Sequence, residues 1–410
     1  MKKFLSVFTI ILMSMAIFVG CSSEEAEEGD TNDASSEASS SLEILVPGYD
    51  SGYLADQLDE LTGKYVEENE GTEIKIISVG WEELNAKVVQ LYQANQSPDI
   101  MLLGSRSLRQ FSELGIAEDL GPYMTDDFKA GRIDNVLETG EVSGTQYGIP
   151  MGISSRALFY RSDLIETPPT NWDELLETSK AIKAEEDMYG FAFPTDLEAG
   201  TDEILSFIYQ GGGAATDENG DFTINSSENI ETLEYMTQFE GLIPDPVATA
   251  RGDQPQMFIN GDLAMFVSGA WDIEELENNK DEAPYEIAKL PVGEQEGVSL
   301  VTDSYVMSSI SENKEEAWKF IEFMGEPEQQ KIVTDAYKWF PVVEAEKDVA
   351  RYQEDNMKPF MEIMPSGQAE PQVPNWDEFN KSFLIAVQKA LTGEATPEEA
   401  LNTAQEEVTK

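Results

Sequence analysis

Histidine is absent from all 410 residues, and cysteine occurs once, at Cys21. Without histidine no Ser-His-Asp or Cys-His nucleophile can be assembled, and zinc loses half of its usual ligand set. A lone cysteine excludes a disulfide within the chain. Basic residues are scarce too: 26 Lys and Arg stand against 80 Asp and Glu, a net charge of −54. That balance argues against nucleic acid as a partner, because phosphate contacts need Lys and Arg patches. It argues equally against direct electrostatic adhesion to anionic lipid. An exterior this acidic suits a saline medium, where self-repulsion is screened. Carboxylate chemistry survives these exclusions. Two carboxylates facing a sugar suffice for glycoside hydrolysis, and the sequence alone does not place such a pair.

What is present begins with an address. Lys2 and Lys3 precede an apolar run, Phe4 to Val19, that is short for a bilayer-spanning helix. A charged start, a short apolar stretch and small residues at its end mark a secretory signal, residues 1–20. Phe18-Val19-Gly20-Cys21 resembles the bacterial lipobox, in which the cysteine becomes the lipidated first residue of the mature chain. Cys21 is therefore the expected lipidation site, and the expected location is the outer face of a bacterial cell membrane. From Ser22 to Ser41 the chain holds no large apolar residue. Such a stretch cannot offset its ordering entropy and is expected to be a disordered acidic tether, residues 21–41 with the lipidated cysteine.

From Leu42 onward strand and helix patterns alternate. Leu42 to Val46, Glu73 to Val79 and Asp99 to Leu103 read as strands. Ala55 to Tyr65 and Trp81 to Asn95 read as helices, the latter with Leu84, Val88 and Leu91 on one face. This βαβαβ order predicts an α/β fold with a mostly parallel sheet covered on both faces. Ligands of such sheets sit beyond the carboxyl ends of the strands, which here carry Tyr49, Asp50, Gly80, Trp81, Ser105 and Arg106. One stretch has calcium-loop spacing, Asp217, Asn219, Asp221, Thr223, Asn225 and Glu228, but Phe222 stands where such a loop needs glycine. An Asn219-Gly220 hairpin turn is the plainer reading. No metal or cofactor is expected.

Several stretches then carry a family resemblance in order along the chain. Pro98-Asp99 with Gly115 to Leu120 resembles "PD…GxLxPL". Tyr147-Gly148-Ile149-Pro150 with Arg156 to Leu164 resembles "YGIP…ALYYNKDL", and Pro168 to Leu176 resembles "PPKTWDELL". Phe258 to Trp271 resembles "FxxGKAAMxxxGxW", and Asn313 to Ile321 resembles "NKEAAWKFI". Phe340-Pro341 and Thr396 to Leu401 complete the series. The chain thus resembles the maltose-binding-protein-like class of solute-binding proteins that serve carbohydrate ABC transporters, over nearly the whole folded part. The resemblance implies a two-lobed periplasmic-binding-protein-like fold of type II, with discontinuous lobes joined by three hinge crossings. The expected lobes are 42–149 with 304–345, and 150–303 with 346–410; the crossings are expected near Gly148 to Gly152, Val301 to Ser304 and Glu344 to Val349. It implies a monomer that holds a small-molecule ligand, a sugar or oligosaccharide, between the lobes and passes it to permease subunits, with no catalysis. A receptor for another solute, a carboxylate-dependent glycoside hydrolase and a passive adhesin are the competing readings; the ordered motifs and the lack of internal repeats weigh against the adhesin.

Sugars offer apolar ring faces and peripheral hydroxyls, so aromatic rings and charged or amide groups are the expected contacts. The family places a ligand-stacking tryptophan at the position of Trp271, and Asp272 follows it. Trp81, Trp339 and Trp376 sit at strand ends or turns, with packing as the competing role; Trp172 reads as a helix start and Trp318 as core. Arg106 after the third strand, and Ser154 and Arg156 beyond the first crossing, are the expected polar contacts with Ser105, Tyr49 and Asp50. Asp303 stands at the second crossing where many relatives carry glycine, so a side-chain acceptor there replaces a backbone contact.

Overall fold

A computed structural model describes residues 40–410 apart from Tyr53, Glu198 and Glu218. Cys21, the signal and nearly all of the tether lie outside the described residues. The first strand β1, Ser40–Pro47, begins two residues earlier than Leu42, because Ser40 and Ser41 continue its parallel ladder against Thr72 and Glu73. Ser40 and Ser41, expected outside the folded part, thus belong to the sheet.

Helix α1 (Ala55–Glu68), β2 (Thr72–Val79), α2 (Leu84–Gln93) and β3 (Ile100–Gly104) follow in the expected alternation. The expected helix start at Trp81 is instead a single 3₁₀ turn, Trp81–Glu83, and Asn95 adopts a left-handed conformation that closes the helix. Strand β4 (Gly148–Ser154) leads into β5 (Ala157–Arg161), and α3 (Trp172–Glu186) and α4 (Thr201–Gln210) precede β6 (Met265–Ser268) and β7 (Tyr285–Ala288). A long strand β8 (Val298–Met307), helix α5 (Lys314–Met324), the short β9 (Gly367–Ala369) and helices α6 (Trp376–Leu391) and α7 (Pro397–Val408) complete the frame.

Two sheets result. In the first, β1 pairs in parallel with both β2 and β3, but β8 runs antiparallel to β3 and β4 antiparallel to β8. The sheet is thus mixed: β8 runs against β1, β2 and β3, while β4, antiparallel to β8, shares their direction. The apolar alternation shows why both faces are covered. Leu42, Ile44 and Val46 enter one cluster with Ile100, Leu102, Tyr305 and Met307, while Leu45, Met101, Leu103 and Val306 enter another on the opposite face. The second sheet, β6-β5-β7, is antiparallel and sits in a separate core drawn from Val136, from Ile153 to Leu300 and again from Phe340 to Ala404.

Chain passage between the two cores is concentrated where β4 meets β8. The register slips there: Asp303 lies opposite Gly152 but Ser304 opposite Pro150, leaving Met151 as an extra residue. Such bulges bend a strand and re-aim its side chains. Farther up β8, Val298 to Leu300 pair with β9 in the second lobe. The third passage follows Trp339, which packs in the first lobe, whereas Phe340, Val342 and Val343 belong to the second core, ahead of Glu344–Val349. The Asp217 stretch closes as a tight turn: Thr216 bridges Phe222, and the Asp217 carboxylate accepts from the backbone N–H groups of Asn219 and Asp221. Those bonds hold the carboxyl below its ordinary value. Among the described residues no helix is long and apolar enough to cross a membrane.

Candidate functional site

The site begins at the end of β3. Gly104 leads into a 3₁₀ turn, Ser105–Ser107, in which both serines are buried. Ser105 turns inward and is buried, its hydroxyl 2.9 Å from that of Ser304 on β8. It braces the two strands rather than facing a ligand. Arg106 folds back over Gly104; a Cβ there would lie 2.9 Å from the guanidinium carbon, so glycine permits the approach. The guanidinium donates to Glu370 Oε1 at 2.9 Å and lies 5.2 Å above the Trp376 ring. Trp376 opens α6, whose first turn is capped by the Asn375 side chain accepting from the Glu378 N–H. Arg106 therefore reaches from the first lobe to two groups of the second.

A cavity of about 630 Å³ opens beside this contact, lined by Trp81, Gly104, Arg106, Leu197, Trp376 and Asn380 among others. Trp81 is 39 % exposed and Leu197 40 %, so the mouth of the cavity presents apolar surface from both lobes. Apolar walls with a few polar groups are the usual make-up of a small-molecule cleft.

A second group lies at the end of β6. The Trp271 ring lies against Gly269, where a Cβ would come within 2.0 Å of it. Arg156 and Arg251 flank that ring at 4.9 and 5.3 Å, and its indole N–H is buried with no partner. Asp272 beside it is buried and accepts from the Ser268 hydroxyl. Burial raises the Asp272 carboxyl above its ordinary value, against the opposing pull of that hydroxyl and of Arg251. Arg156 is buried and donates through Nε to Glu203 Oε1 at 2.7 Å, with Asp202 Oδ2 at 3.7 Å. Ser154 accepts more weakly from the same guanidinium at 3.4 Å. Asp202 and Glu203 stand in the first turn of α4, and Asp202 also accepts from the Ser299 hydroxyl at 2.9 Å.

These two groups form one electrostatic cluster. Asp202 and Asp303 act on both Arg106 and Glu370, and Glu370 acts on Arg156. Burial first, and the Asp202 and Asp303 charges after it, push the Glu370 carboxyl well above the ordinary range although Arg106 pulls it down. Oε2 of Glu203 and Oε2 of Glu370 are buried acceptors without a partner.

The structure thus gathers Trp81, Arg106 and Trp376 around one cavity, and Ser154, Arg156, Trp271, Asp272 and Asp303 around the adjoining charge cluster. It does not bring Tyr49, Asp50, Ser105 or Trp339 to that cavity's wall. Tyr49 donates its hydroxyl to Asp59 at 2.5 Å, Asp50 is exposed with its backbone N–H on Ser78, and Trp339 is buried behind Gly152. Trp172 stacks on Tyr235 at 4.4 Å and Trp318 is core, as their helix positions suggest. Sequence reasoning missed Asp202, Glu203, Arg251 and Glu370. Acidic residues in a first helical turn are common, and among 80 carboxylates nothing local set these apart. The nearest signal is Gly200-Thr201 before Asp202, which starts α4 facing the passage strands.

Comparison with known proteins follows this geometry. The profile of the bacterial extracellular solute-binding proteins matches residues 51–331. A Brucella abortus protein named as a binding protein is 30 % identical over 363 residues, covering 84 % of this chain and 87 % of that one. The galactooligosaccharide-binding protein of Bacillus subtilis is 24 % identical over 327 residues, 76 % of each chain. Maltose-bound MalE3 of T. maritima shares the two-lobed type II fold with a TM-score of 0.77 and 23 % identity, over 90 % of this chain and 99 % of that one.

Proposed function

The chain belongs to the bacterial extracellular solute-binding protein family, and we propose that it captures a sugar or oligosaccharide in the interlobe cleft and hands it to an ABC importer. The observation that carries this reading is the cleft itself: tryptophans from both lobes stand around paired arginines, and a buried indole N–H and carboxylate oxygens are left without partners. Flat rings cover sugar faces, and unpartnered polar atoms await hydroxyls. The galactooligosaccharide named for one relative and the maltose bound to a structural neighbour fit the same chemistry.

Closure of the lobes excludes water from such a cleft and gives the permease a loaded shape to recognise. The Arg106–Glu370 and Arg106–Trp376 contacts join the lobes and support a closed state. The protein is proposed to work without catalysis, as a monomer held to the outer membrane face through a lipid on Cys21. Arg106 is paired with Glu370 and Arg156 with Glu203, so neither guanidinium is free to receive a ligand carboxylate.

A thermal-shift panel of neutral mono- and oligosaccharides, with mass-spectrometric inspection of each sugar afterwards, tests the central reading. Stabilisation by a sugar that stays intact is the expected result; steady hydrolysis would establish a glycosidase instead. The anchor is tested by Cys21→Ser in the full-length chain, which should move the protein from the membrane fraction to the medium.

A further inference from the structure

The charge cluster says more about the ligand than its being a sugar. Three carboxylates, the buried Glu203 and Glu370 and the half-buried Asp202, share one neighbourhood with two guanidiniums, Arg106 and Arg156. Asp272 and Arg251 beside Trp271 balance one another. The neighbourhood therefore carries an excess of negative charge, and both arginines are already committed, to Glu370 at 2.9 Å and to Glu203 at 2.7 Å. Each committed carboxylate keeps its second oxygen buried and without a partner.

From this arrangement, and resting on the sugar-receptor reading, we infer that Glu203 and Glu370 are specificity-determining residues that select uncharged sugars and reject those bearing a carboxylate. A neutral sugar beside Arg106 makes no claim on either guanidinium and leaves both ion pairs intact. A uronic acid has no free cation to meet. To gain one it must pull Arg106 from Glu370 or Arg156 from Glu203, leaving that carboxylate buried and unpaired, which is strongly unfavourable. It also brings like charge into the site. Sites that leave buried polar groups unpaired with the wrong ligand discriminate far more sharply than apolar pockets do. The raised Glu370 and Asp272 carboxyls are consistent with a neighbourhood in which further negative charge is unwelcome.

Calorimetric titration at neutral pH tests this with pairs that differ only in oxidation of hydroxymethyl groups: one group in glucose and glucuronic acid and in galactose and galacturonic acid, two in α-1,4-galactobiose and digalacturonate, with maltose as a further neutral probe. The expected result is binding of at least one neutral sugar, with its acidic partner weaker by at least about tenfold. Equal or tighter binding of the acid overturns the inference and leaves the receptor reading intact. No binding by any probe overturns both. In Glu370→Gln and Glu203→Gln the gap between neutral and acidic partners should narrow; an unchanged gap in both folded variants overturns their role. If neither variant folds, the wild-type ratio still decides.

Discussion

The first lobe's contribution to the cleft is local in sequence, whereas the second lobe's is assembled from four distant stretches. Trp81 and Arg106 sit just past the ends of neighbouring parallel strands, β2 and β3, where an open α/β sheet presents its ligand groups. The opposing groups come from residues 154–156, 202–203, 268–272 and 367–376, brought together by the passage strands and by α4 and α6. The two sides also differ in burial. Trp81 is 39 % exposed, while Glu203 is fully buried and Glu370 nearly so. The first lobe thus offers an accessible rim, and the second a desolvated interior in which ion pairs and orphan acceptors are strong. Binding free energy is expected to concentrate on the second side.

The largest expected effect breaks that interior. Glu203→Ala leaves the buried Arg156 with Asp202, at 3.7 Å, as its remaining ion-pair partner, and should cost about 3–5 kcal/mol of stability in urea denaturation. A loss below about 1 kcal/mol, within the range of an exposed pair, would show that the cluster is not desolvated. Next comes Trp271→Ala, which should weaken sugar binding at least tenfold, about 1.4 kcal/mol or more, by calorimetry. On the first-lobe side Trp81→Ala should change the dissociation constant by less than about threefold, since much of the ring stays in water. A larger effect from Trp81 than from Trp271 would reverse the comparison.

A pH experiment sharpens it further. Asp272 has its carboxyl raised by burial, so the folded protein holds that proton to a higher pH than the unfolded chain does. Its contribution to stability is therefore present at acid pH and lost as pH rises from the ordinary aspartate value through the raised one. Asp272→Asn, which keeps an acceptor for Ser268, should stabilise the protein slightly at neutral pH and not below the ordinary aspartate value. The check is a melting curve at both pH values; a gain of equal size at both would remove burial of charge as the cause.

The same contrast explains what the sequence disclosed. The βαβαβ run was legible because β3 is buried on both faces, which leaves the unbroken apolar stretch Ile100 to Leu103, while the half-exposed β2 alternates apolar and polar residues. Arg106 and Trp81 followed from strand ends alone, and Trp271 from the motif around it. Ser105 was legible as a position but not as an orientation, because its hydroxyl meets Ser304, 199 residues on. Glu203 and Glu370 were illegible for a related reason. Their significance lies in the arginines they meet, at separations of 47 and 264 residues, and nothing local distinguishes a buried carboxylate in so acidic a chain. The mixed sheet likewise depends on which way β8 enters between β3 and β4, a fact of tertiary connection.

The central claim is that this cleft captures a sugar and leaves it unchanged. Calorimetric titration of the wild type and of Trp271→Ala, with the neutral sugar that gives the largest thermal shift and a reducing-sugar assay on the titrated sample, tests it most directly. The account predicts saturable one-to-one binding by the wild type, at least tenfold weaker binding by the variant, and no released sugar. Undiminished binding by a folded Trp271→Ala, or steady accumulation of product, would contradict it.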